Sequence, residues 1–186
     1  MAGSGNIDVV FEKDRLQFGE YPFLSKNKNR VLFAEEITEI IHSAPPSVRT
    51  KEGEFLYITA RQWEQLKEFA KANGIPEVRR VDIWSIILDP FLDTQHGEEY
   101  MQRSMEILAA NNVSEKEVKE MRQLVGKRMM ALTSLTWEWI HYGLYDALSA
   151  MKPLCILSGW TFEKFYYHAM KLEDRGVNTS AIETVD

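Results

Sequence analysis

The chain has 186 residues, of which 45% are hydrophobic and 27% charged. That balance excludes wholesale disorder, collagen-like repeats and disulfide-stapled miniproteins, and the length suffices for a core without a metal or disulfide staple. With 22 Lys+Arg against 28 Asp+Glu the formal charge is −6, which repels phosphate backbones at long range and argues against nucleic acid as a partner.

The densest basic groups are Lys26 with Lys28 and Arg30, Arg79 with Arg80, and Lys127 with Arg128, and none is interleaved with stacking aromatics. The single cysteine, Cys155, sits among Leu154, Ile156 and Leu157, the setting of a packed thiol in a reducing compartment. Met1–Gly5 lacks the basic start and apolar run of a signal peptide, so the expectation is a cytosolic protein. The apolar run from Met129 to Met151 has about the length of a membrane span. Glu138, His141 and Asp146 interrupt it at a cost in lipid that argues for a soluble helix and no membrane.

In chain order, Ile7–Phe11 reads as a strand and residues 25–30 as a polar loop. Residues 31–42 are ambiguous: Ile37, Thr38, Ile40 and Ile41 favour a strand, whereas Glu35, Glu36 and Glu39 suit a helix. Ala44-Pro45-Pro46 ends that element in either case. Lys51-Glu52-Gly53 reads as a turn leading into a strand over residues 54–58. Thr59 with Gln62 resembles a capping box, followed by Trp63, Leu66, Phe69 and Ala70 at helical spacing and a stop at Asn73-Gly74-Ile75-Pro76. Asp82 is placed to cap a short helix that Pro90 breaks, and residues 98–111 carry Met101, Met105 and Leu108 on one side.

The clearest element starts at Ser114, paired with Glu117 as a capping box. Val118, Met121, Val125, Met129, Leu132, Thr136, Ile140, Gly143 and Ala147 then follow at steps of three and four on one face. Continuous to Met151 it would be about 55 Å long, so a bend is expected near Thr133-Ser134 or Gly143. A last helix is read from Ser158, with Phe162, Phe165, Tyr166, Ala169 and Leu172 inward and Gly176 as its stop.

Phosphate loops, dinucleotide fingerprints, nucleophile elbows and paired-cysteine knuckles are absent from the sequence. Two pairs, Glu39 with His42 and Glu138 with His141, place a glutamate three residues before a histidine, the spacing that carboxylate-bridged dimetal bundles use. That geometry requires helix, and in a strand the two side chains would face opposite ways. On the long helix Glu138, His141, Tyr142 and Tyr145 form, with Lys127, Ser134 and Ser149, a polar stripe opposite the core face. A histidine in such a stripe, held by Glu138 or a tyrosine hydroxyl, is a candidate for acid–base work. The carboxylates at Asp89 and Asp93 are too few for an oxygen-ligand metal site.

The expected fold is α+β and mainly helical, with one small sheet within residues 7–58 packed with about five helices. The expected organisation is a single domain over residues 1–176 and a flexible tail over residues 177–186. The expected role is that of an acidic accessory protein that self-associates or binds a protein partner through its aromatic C-terminal helices, with no cofactor. The competing expectation is an enzyme or ligand-binding domain using Glu138, His141, Tyr142 and Tyr145, and Glu39, His42, Glu138 and His141 are its metal candidates.

Overall fold

The computed structural model describes residues 8–23, 29–92, 97–136, 142–152 and 161–179, with backbone alone for Glu20, Asn29 and residues 132–136. Among these residues the fold is α+β, with six α-helices and two sheets. The chain divides into two compact units, Met1–Arg80 with Asn178–Asp186, and Val81–Val177.

In the first unit β1 (Val9–Phe11), β2 (Arg15–Glu20) and β3 (Asn29–Phe33) form an antiparallel meander. Alternation sends Leu16, Phe18 and Leu32 into the core and leaves Val10, Val31 and Phe33 exposed. A 3₁₀ turn over Ala34–Glu36 then hands the chain to a second sheet. There β4 (Ile37–Ile41) and β5 (Ser47–Thr50) pair antiparallel, β6 (Phe55–Tyr57) extends β5, and β7 (Glu77–Val78) runs parallel to β4. The ambiguous segment 31–42 is therefore strand, turn and strand, and Asn29 and Arg30, expected in a loop, begin the pairing of β3.

The expectation of a single sheet ending near residue 58 is corrected to two. The change of partner across Ala34–Glu36, from Arg15 opposite Phe33 to Ile37 opposite Thr50, is what separates them. Helix α1 (Trp63–Ala72) buries Leu66, Phe69 and Ala70 and meets β1 through an edge-on contact between Phe11 and Phe69 at 6.2 Å. The Thr59–Gln62 capping box is not formed: the Thr59 hydroxyl donates to Gln62 Oε1 at 3.1 Å, and the Gln62 amide donates to the Val9 carbonyl at 2.6 Å and accepts from the Val9 N–H at 3.2 Å, acting as a strand partner for β1. Gly53 and Gly74 adopt φ of 76° and 69°, conformations that explain glycine at both turns. Thr179 N–H donates to the Arg79 carbonyl at 2.8 Å, so the first residues of the segment read as a tail are hydrogen-bonded.

The second unit is helical: α2 (Ile83–Leu88), α3 (Glu98–Ala110), α4 (Glu115–Thr136), α5 (Leu144–Met151) and α6 (Phe162–Glu173). Asp82 caps α2 by accepting from Ser85 N–H at 2.7 Å. Ser114 and Glu117 form the expected capping box of α4, the Ser114 N–H and hydroxyl reaching the Glu117 carboxylate at 3.0 and 2.8 Å. Val118, Met121, Val125 and Met129 are buried on its inner face, as their spacing requires.

The long helix does not run on to Met151. Gly143 is extended (φ −137°, ψ −167°), and its N–H donates to the Asp146 carboxylate at 2.9 Å, which starts α5 afresh. Helix α6 is capped by Thr161, whose hydroxyl accepts from Lys164 N–H at 3.2 Å, and the expected start at Ser158 lies outside the described residues. Trp84 is fully buried, edge-on to Phe165 at 5.8 Å, with its indole N–H donating to the Ala169 carbonyl at 3.0 Å.

Candidate functional site

Beside the N-terminal half of α4 the helical unit has an open groove of about 870 Å³. Asp89-Pro90 halts α2 and opens a 3₁₀ turn, Asp89–Phe91, with proline in its first positions. That turn delivers the Phe91 ring onto α4 at Gly126. A Cβ there would lie 3.1 and 3.2 Å from two ring carbons, so glycine allows the ring to approach this closely. Pro90, Phe91, Met105 and Val118 supply the apolar lining, while Glu115, Lys116, Lys119, Arg122 and Gln123 supply the polar lining.

Lys116, Lys119, Arg122 and Gln123 follow one flank of α4 at steps of three and four. Arg122 is tied back: its Nε donates to the Ile87 carbonyl at 2.9 Å and its Nη2 to the Ile86 carbonyl at 3.2 Å, capping the end of α2. Burial lowers the pKa of this guanidinium and the charge of Asp89 opposes the shift. Lys116 and Lys119 are exposed, and Lys116 Nζ lies 4.0 Å from the Glu120 carboxylate.

The residues singled out from the sequence are placed elsewhere. Glu39 lies on β4, where its carboxylate accepts from Arg80 Nη1 at 2.7 Å and stands 3.9 Å from Arg49 Nε. His42 follows the strand, exposed, and stacks on Trp63 with centroids 4.7 Å apart and planes 11° apart. Lys67 Nζ lies 5.7 Å from the centroid of that same indole. The helical geometry that would join Glu39 and His42 around a metal is therefore not formed. Glu138 and His141 lie outside the described residues, as do Asp93, His96 and Cys155.

Of the polar stripe, Tyr142 is buried and Tyr145 half-buried. The break at Gly143 resets the helical phase, so a stripe drawn on one continuous helix does not continue through Tyr142. Burial and the charge of Asp146 raise the Tyr145 pKa against a hydrogen bond with Ser149, so the phenol is protonated at neutral pH and serves as a hydrogen-bonding group rather than a base. Among the described residues no group of three or more His, Cys, Asp or Glu side chains is arranged to hold a metal ion, and no helix is long and apolar enough to cross a membrane.

A further cluster joins α4 to the end of α6. Arg175 Nη1 lies 2.9 Å from the Glu117 carboxylate and donates to the Asn112 carbonyl at 2.8 Å. Glu117 has a lowered pKa because it accepts from the Ser114 N–H and hydroxyl and faces Arg175. His168 nearby has a lowered pKa, mainly through burial, with Glu117 and Glu120 opposing and Arg175 and Lys171 reinforcing the shift. The cluster anchors the helix ends: Gly176 passes so close to Val81 that a Cβ would lie 2.1 Å from its carbonyl oxygen.

Sequence reasoning missed the groove. Its only trace is the basic spacing Lys116, Lys119, Arg122 on the flank of an otherwise amphipathic helix, and the Phe91–Gly126 contact joins residues too distant in sequence for periodicity to reveal. No protein-family model, no curated protein and no solved structure matches the chain.

Proposed function

We propose that this chain is a cytosolic accessory protein that binds a protein partner and has no catalytic activity of its own. The observation supporting this reading is the groove on α4, where exposed Pro90 and half-buried Phe91 and Met105 lie beside basic side chains. A partly open apolar strip rimmed by polar groups has the make-up of a small interaction site. The aromatic side chains of α6 are less suited to that role than the sequence suggests. Phe165 and Tyr166 belong to the core, and Tyr167 is the large exposed aromatic of that helix.

Native mass spectrometry of the protein purified gently from its source tests the reading. A stoichiometric complex with a second polypeptide is the expected result. A monomer carrying a metal or small-molecule adduct would overturn it and favour a ligand site built on Glu138, His141, Tyr142 and Tyr145.

A further inference from the structure

Resting on that interaction reading, we infer that the groove docks an acidic amphipathic helix of the partner protein. The first argument is charge. The chain as a whole carries −6, yet this groove is lined by three cations, Lys116, Lys119 and Arg122, and one carboxylate, Glu115, with Glu120 4.0 Å from Lys116. A local basic rim on an acidic protein selects a negatively charged ligand and repels basic ones. Arg122 is held by carbonyls of α2, so the two lysines carry the recognition.

The second argument is the backbone. The groove is walled by α3, α4 and the 3₁₀ turn and presents no strand edge. A docking peptide must therefore satisfy its own N–H and C=O groups, which a helix does and an extended segment does not. From Lys116 to Gln123 the α4 flank is about 10 Å long, matching about two turns of a partner helix. Its apolar residues at i, i+3, i+4 and i+7 would meet Phe91, Met105 and Val118, with acidic residues beside the lysines. The groove is open along its length, whereas small-molecule sites enclose most of their ligand. Phe91 is the one aromatic side chain of its lining, too few for a stacking platform for single-stranded nucleic acid.

The test uses the full chain and a labelled synthetic peptide of about four helical turns, with leucines at i, i+3, i+4 and i+7 and glutamates on the flanks, followed by fluorescence anisotropy. Saturable binding is expected, weakened by salt. Replacing the glutamates by lysines should weaken it about tenfold or more, and so should the double variant Lys116→Glu/Lys119→Glu. Met105→Glu should weaken it through the floor while its circular dichroism stays that of the parent.

Absence of saturable binding, or equal affinity for the double variant, overturns the inference. So does preferential, variant-sensitive binding to phosphatidylserine vesicles or to a single-stranded RNA in place of the peptide. A native complex with a partner protein that persists in the double variant defeats this inference and leaves the interaction reading standing. A monomer with a small-molecule adduct defeats the reading itself.

Discussion

The arginines of the two-sheet unit and the groove lysines of the helical unit use positive charge in opposite ways. In the two-sheet unit Arg49 and Arg80 converge on Glu39 and Arg30 pairs with Glu54, all with side chains largely withdrawn from water. The Arg80 guanidinium also lies over the Phe55 ring at 6.0 Å. In the helical unit Lys116 and Lys119 stand exposed beside apolar carbon on the rim of a groove. A planar guanidinium matches a carboxylate rigidly and is less strongly hydrated than an ammonium, so it suits the sheet's semi-buried pairs. A flexible, well-hydrated lysine suits an encounter surface. The residue types thus separate charge that holds the fold from charge that faces outward.

Four measurements would break or sharpen that contrast. The largest effect is expected from Trp84→Ala in the core of the helical unit, about 3–5 kcal/mol from lost burial and cavity formation, read by urea denaturation. A loss below 1 kcal/mol would mean that this core is not what holds the helices together.

Next is Glu39→Ala, which leaves Arg80 and Arg49 without the carboxylate they share. Because these side chains are only 12–22% exposed, the expected loss is about 2–4 kcal/mol. A neutral result would move the Glu39 cluster from structure to function.

The third concerns acid. A group whose pKa is lower in the folded state adds stability above its unfolded value, and that stability is lost as pH falls through the folded value. Burial holds His168 below its ordinary 6.5, so its contribution declines first, as pH drops beneath that value. Glu117 follows beneath 4.5, because its bonds to Ser114 and Arg175 favour the carboxylate. His168→Gln should flatten the upper part of the stability–pH curve and Glu117→Gln the lower part. An unchanged upper slope in His168→Gln would show that another group titrates there.

The smallest effect is expected from Lys116→Glu/Lys119→Glu on stability, within about 0.5 kcal/mol, since both side chains are exposed. A shift in thermal midpoint of many degrees would place these lysines with the structural charges and erase the contrast between the units.

Much of the helical unit was legible because its signals are local. The Ser114–Glu117 box, the Asp82 cap, the stop at Pro90 and the buried row Val118, Met121, Val125 and Met129 all involve residues within a few turns of one another. The sheets were less legible. Their strands are short, and the division into two sheets depends on which distant strand each one meets. Leu16 and Phe18 do alternate with Arg15 and Gln17, a period-two signal that marks β2, but alternation does not name a partner.

By itself the sequence determined the chemical class of the surface, the mixed α+β character, most helix starts and stops, and the inner faces of α4 and α6. Those properties depend on neighbours in the chain, where side-chain spacing and capping chemistry act directly. Tertiary structure alone decided that Gln62 serves β1 instead of closing a capping box, and that Glu39 belongs to arginines. It also decided that Gly176 is required by the carbonyl of Val81, and that Phe91 settles against Gly126 beside two lysines to shape a groove. Each of these joins residues far apart in sequence, and no local propensity encodes an encounter that exists only once the chain has folded back on itself.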